Sequence, residues 1–174
     1  MARAYPLAMS DPRDPFRPAD DEARALAARL LAVCDHAALG VIDAATGAPF
    51  VTRIAFCPAD DGTPMTLVSD LAPHTAALHA NPAASLLLAS DPGKGDPLTH
   101  PRLTLQVRAR FVGRTEPGHP ALRAQFLARR PKAGLYIDFG DFHLVRLAVH
   151  EAHLNGGFGK AYRLAPSDLG LAGP

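Results

Sequence analysis

At 174 residues the chain has the length of one domain, with no room for a second full core. Its 18 basic and 17 acidic side chains leave a formal net charge of +1, which excludes the basic footprint of a nucleic-acid binder. Two cysteines, Cys34 and Cys57, exclude a disulfide framework and give no metal-ligand spacing, and no stretch is long and apolar enough to span a bilayer, so a cytoplasmic protein without membrane contact is expected.

In chain order, Pro6, Pro12, Pro15 and Pro18 rule out a helix or central strand and make residues 1–19 an extended arm. Its composition lacks the apolar centre of a signal peptide. Asp20, Asp21 and Glu22 then supply an acidic first turn, and Leu26, Leu30 and Val33 share one face of a helix running to about Cys34. From Ala37 the period changes. Three short apolar runs in "AALGVIDAATGAPFVTRIAFCPADDGTPMTLVSD", separated by two turn-rich stretches, predict a three-strand antiparallel meander. Pro73 opens a two-turn helix, "PHTAALHA", which Asn81 and Pro82 end before the strand "AASLLLAS".

"DPGKGDPLTHP" is a loop by its prolines and glycines, and "RLTLQVRARFVG" after it alternates as a strand with one wet face. Residues 118–130 read as a helix with Leu122 and Phe126 inward, stopped by Pro131. Two last strands, "DFHLVRLAVH" and "EAHLNGGFGKAY", complete the domain. The fold class expected is mainly β (α+β): a six- to seven-stranded antiparallel, partly closed barrel with helices outside, because the crossovers of a parallel sheet are missing. The division expected is an arm over 1–19, one domain over 20–165 and a tail over 166–174.

Several chemistries fail on their own spacing. His150 and His153 are three apart, which in a regular strand sends them to opposite faces, and no third ligand completes a metal set. "GGFGK" lacks a Walker loop's first Gly and final hydroxyl, Leu154 and Ala161 standing there, and Tyr162 replaces the last Gly of a dinucleotide fingerprint. It reads as a tight turn, or as backbone around Gly157 that lets a flat ligand approach Phe158. No Gly-x-Ser-x-Gly elbow supports a triad hydrolase. What remains is "LVSDLAPHT" with Ser69, His74 and Thr75 at a helix start, plus Arg53 mid-strand: either one phosphate site, or an exposed arginine and an ordinary helix end.

The runs "PFVTRIAF", "PMTLVSDLAPHTAALHANPAASLLLAS" and "PRLTLQVRARFVG" resemble the FMN-binding split-barrel family of pyridoxamine 5'-phosphate oxidase, over most of residues 20–165. "GDFHLVRL" and "LNGGFGKAY" are similar to that superfamily's heme-utilisation branch. The resemblance implies a homodimer with FMN in clefts at the subunit interface. Arg53 and the backbone around Thr52 and Ile54 then meet the flavin and ribityl phosphate, Val68 belongs to the flavin-contacting pattern, Ser69, His74 and Thr75 hold the phosphate, and Arg102 lies near the ring. Where the oxidase has a basic pair this chain has His74 and Thr75, where it has a lysine there is Pro58, and its C-terminal Trp and Arg substrate motif is not visible. The function implied is an FMN-dependent oxidoreductase acting on a small molecule. A heme-binding or heme-degrading protein is the alternative: Asp141 matches a position of the heme branch, whose axial histidine lies in a C-terminal extension not seen in "APSDLGLAGP".

Overall fold

The computed structural model describes residues 15–89, 94–157 and 159–173. Most of the expected arm, residues 90–93 and Phe158 lie outside them. Helix α1 (Asp21–Val33) starts where the Asp20 carboxylate accepts the Ala23 N–H at 2.7 Å, satisfying one of the orphan donors of the first turn. It buries Ala23, Ala27, Leu30 and Leu31, one stripe at helical spacing. The strands are β1 (His36–Ile42), β2 (Pro49–Ala55), the two-residue β3 (Cys57–Pro58), β4 (Pro64–Ser69), β5 (Ala83–Ala89), β6 (Arg102–Phe111), β7 (Phe142–Asn155) and β8 (Ala161–Leu164). Helix α2 (Pro73–Ala80) joins β4 to β5, and α3 (His119–Arg129) joins β6 to β7.

All strands belong to one antiparallel sheet in the order β2-β1-β5-β6-β7-β4-β3, with β8 paired to the far half of β7. The sheet curls until β2 approaches β4, which leaves a barrel split along that line. Two expectations need correction. The three runs after Ala37 are not one meander: β2 pairs β1, whereas β4 pairs β7 and β3. The reason is that Phe56 and Ala59 are buried, so the chain turns inward after β2 instead of folding back beside it. The last two predicted strands are, up to Asn155, the single strand β7, because β6 pairs it across the expected break, from Val145 to Asn155.

That strand carries a bulge. Gln106 faces Glu151 while Val107 faces Val149, so His150 is an extra residue without a partner on β6. Burial changes phase there, from Val145, Leu147 and Val149 to Ala152 and Leu154. His150 is exposed and His153 follows the outward phase, so the expected opposite-face arrangement fails because the strand is not regular. Even so, the described residues hold no cluster of three or more metal-ligating side chains.

The barrel interior is filled by Leu39, Leu86, Leu88, Leu103, Leu105, Leu147 and Leu154, all essentially inaccessible. A second cluster, with Phe126, Leu122, Met65 and Leu144, seats α3 on β4 and β7. The C-terminal stretch packs back on the barrel: Arg24 donates to Asp168 at 2.9 Å and Leu171 is buried. No helix among the described residues is long and apolar enough to cross a membrane.

Candidate functional site

The junction between β4 and α2 is built from side chains that satisfy one another. Ser69 Oγ donates to the Asp141 carboxylate at 2.7 Å and accepts the Leu71 N–H at 3.2 Å. Thr75, fully buried in the first turn of α2, donates its hydroxyl proton to the Ser69 carbonyl at 2.6 Å. The Asp70 N–H donates to the Asp141 carbonyl at 2.8 Å, and the Asp70 carboxylate meets His143 Nε2 at 2.8 Å. The register explains the meeting: Val68 lies opposite His143 and Ser69 opposite Phe142.

The electrostatics of this junction oppose an anion. Two carboxylates, Asp70 and Asp141, flank it, and both hydroxyl protons are already donated within the protein. His74 is half-buried, and burial pushes its pKa below the ordinary 6.5, which favours a neutral ring at neutral pH. The loop carrying Asp141 is held by Arg114, whose guanidinium donates to the carbonyls of Asp138 at 3.3 Å and Phe142 at 3.2 Å, and to that of Phe139. Beside it, His79 stacks on Phe111 with ring centroids 3.8 Å apart, and His143 stands edge-on to Phe111 at 6.0 Å. These rings, with Phe142, Arg114 and His119, line a cleft of about 520 Å³.

The other predicted residues fall elsewhere. On β2, Thr52 is half-buried, Arg53 exposed and Ile54 buried, opposite Leu39, Ala38 and Ala37 of β1. No carboxylate among the described residues pairs with Arg53. Val68 is buried at the end of β4. Arg102 starts β6 opposite Asn155, and its guanidinium donates to the Leu98 carbonyl at 3.0 Å. Gly157, at φ +115°, turns β7 into β8, donating to the Asn155 side chain at 3.0 Å. Phe158 lies outside the described residues. Thus Ser69, His74 and Thr75 come together, with β2 close by, while Arg102 and Gly157 sit at the other end of β7, on the order of 40 Å along the strand at ordinary strand rise.

A second cleft, of about 440 Å³, opens on the outer face of β1, β2, β5 and β6. Ile42, Phe50, Val51, Arg108 and His150 line it, and Val51 is 67% and Ile42 43% exposed, an apolar face bare to solvent. His150 points there because of the bulge, a signal that no spacing in the sequence contains. The Asp70 and His143 pair was equally invisible, since only the β4–β7 register joins residues so far apart in the chain.

Comparison with known proteins places this geometry. Residues 101 in number align at 42% identity with the chloroplastic heme oxygenase HOZ of Arabidopsis thaliana, covering 58% of this chain and 30% of that one. A heme binding protein from Mycobacterium smegmatis superposes with a TM-score of 0.75 at 27% identity, over 89% of this chain and 61% of that one. A Clostridium acetobutylicum protein related to general stress protein 26, of the pyridoxinephosphate oxidase family, shares the fold with a TM-score of 0.64 at 13% identity, over 87% of this chain and 99% of that one. The expected split barrel is therefore present, and the chain spans less than two thirds of the two heme proteins' length. The model of the CREG β-barrel matches residues 18–169, and the chain belongs to that family.

Proposed function

We propose that the protein binds heme, as a homodimer, and acts in heme utilisation. The observation that carries this reading is the hydrogen bond from Ser69 to Asp141. It puts a carboxylate where a flavin phosphate is expected and uses the hydroxyl proton that the phosphate needs. The outer cleft suits heme better. A porphyrin asks for an apolar platform, cations for two propionates and an imidazole near its iron; Val51, Ile42 and Phe50, then Arg108, then His150 line the cleft and are of those kinds, and Arg53 stands exposed outside its lining, two residues beyond Val51 on β2. Neither arginine has a carboxylate partner among the described residues. Bound heme supplies the iron chemistry of oxygen and electron transfer; the chain's part is to hold the ring, pair its propionates and exclude water.

The heme-related names of the plant and mycobacterial relatives support the same reading. FMN is the second reading, favoured by exposed, unpaired Arg53 on the strand beside β4. With either cofactor, a site that uses both Ser69 and Arg102 draws them from two copies of the chain, since one copy holds them at opposite ends of β7.

Titration of the purified protein separates the two. Hemin is expected to raise a Soret band that saturates at one equivalent per chain, while FMN fluorescence stays unquenched. Arg53→Ala is expected to weaken hemin about tenfold, the loss of one charge-assisted hydrogen bond. A yellow protein that keeps stoichiometric FMN and ignores hemin overturns the heme reading.

A further inference from the structure

We propose that His150 is the axial ligand of the heme iron, set in the outer cleft by the bulge in β7. The inference rests on the heme reading of that cleft and names the residue that bonds the metal there. The ladder between β6 and β7 carries it. Val149 stands opposite Val107 and Glu151 opposite Gln106, so His150 is the one residue between Val145 and Asn155 without a partner on β6. On either side of it the strand alternates strictly: Val145, Leu147 and Val149 are buried, then Ala152 and Leu154. With residue 150 removed, Glu151 follows Val149 as the outward residue and every other pair keeps its register. The extra residue therefore serves neither the ladder nor the core. What it adds is one outward side chain at that point of the sheet.

That side chain is free and faces the cleft. His150 is exposed, and neither ring nitrogen has a partner among the described residues. The other histidines of β7 are engaged: His143 Nε2 meets Asp70 at 2.8 Å and His153 Nε2 meets Glu151 at 2.7 Å. Among the described residues His150 is also the only imidazole lining the outer cleft. Beside it the outward row is small in the middle, since Val51 pairs Gly40, Gly40 pairs Ser85, Ser85 pairs Gln106 and Gln106 pairs Glu151. Gly40 and Ser85 thus form a low floor between Val51 on β2 and His150 on β7. At about 4.8 Å per strand, the distance from β2 to β7 across β1, β5 and β6 is roughly 19 Å along the sheet, a span that admits a porphyrin.

An imidazole nitrogen binds iron through its lone pair, and the partner of the other nitrogen tunes how strongly it does so. No carboxylate raises the basicity of this ring, because the adjacent one, Glu151, is taken by His153. His150 therefore acts as a plain neutral imidazole and fills one axial position.

The test uses the full chain loaded with hemin and then reduced with dithionite. Resonance Raman spectra of the wild type are expected to show an iron–imidazole stretching band that shifts when histidine carries the heavy nitrogen isotope. His150→Gly is expected to lose that band, to bind hemin at least about tenfold more weakly, and to regain the band when free imidazole is added. Deletion of residue 150 is expected to lose the band as well while its circular dichroism stays that of the wild type, which separates a lost ligand from a lost fold. A band and an affinity unchanged in His150→Gly overturn the inference and leave heme binding standing. A wild type that takes up no hemin overturns the heme reading of the cleft and the inference with it.

Discussion

At the scale of single residues, His74 shows how burial decides what a side chain can offer. In the sequence it stands where a phosphate-binding family has a basic residue, and its half-buried ring is held below its ordinary pKa. The same burial makes stability depend on pH. The unfolded chain protonates His74 near 6.5, whereas the folded chain does so only at lower pH, so between those values the unfolded state binds more protons. Stability attributable to His74 is therefore complete above 6.5 and lost as pH falls through the window below it. His74→Gln is expected to flatten that part of the profile, read as the urea midpoint at a series of pH values between 5 and 7.5 in steps of about half a unit. An unchanged slope contradicts the assignment.

At the scale of elements, α3 was legible because its signals are local. Leu122 and Phe126 at i and i+4 mark one face and Pro131 marks the stop, and both side chains are buried on β4 and β7. Phe126→Ala removes a fully buried ring and is expected to cost about 3–5 kcal/mol in denaturant unfolding. Phe139→Ala, at a ring more than half exposed, is expected to change stability by less than about 0.5 kcal/mol. Pairing was less legible than strand location. The apolar runs located β1, β2 and β4, but which strand lies beside which depends on contacts distant in sequence, and β4 chose β7. The bulge at His150 is of the same kind: it exists only relative to β6, yet it decides that His150 and His153 both leave the core. For that reason the helix-start residues Ser69 and Thr75 were found, and the partners that spend their protons were not.

At the scale of the whole molecule, the bare apolar face of β1, β2 and β5 is what a second copy would cover. Ile42, Val51 and Leu87 are all more than one third exposed on it, and Gly40 and Ala38 between them give a flat surface that another sheet can approach. A stable interface of ordinary size buries about 1,600 Å² in total, about 800 Å² on each partner. Val51→Asp is the sharpest probe because Val51 is 67% exposed in the single chain. In a monomer the substitution lands in water and should leave thermal unfolding within about 0.5 kcal/mol of wild type. In a dimer it buries a carboxylate against an apolar face. Sedimentation equilibrium is therefore expected to give twice the chain mass for the wild type and the chain mass for Val51→Asp, with the circular dichroism of the two alike. A wild type that remains monomeric at tens of micromolar, well above the dissociation constants typical of such interfaces, removes the dimer from the proposal and leaves the outer cleft open to solvent on one side.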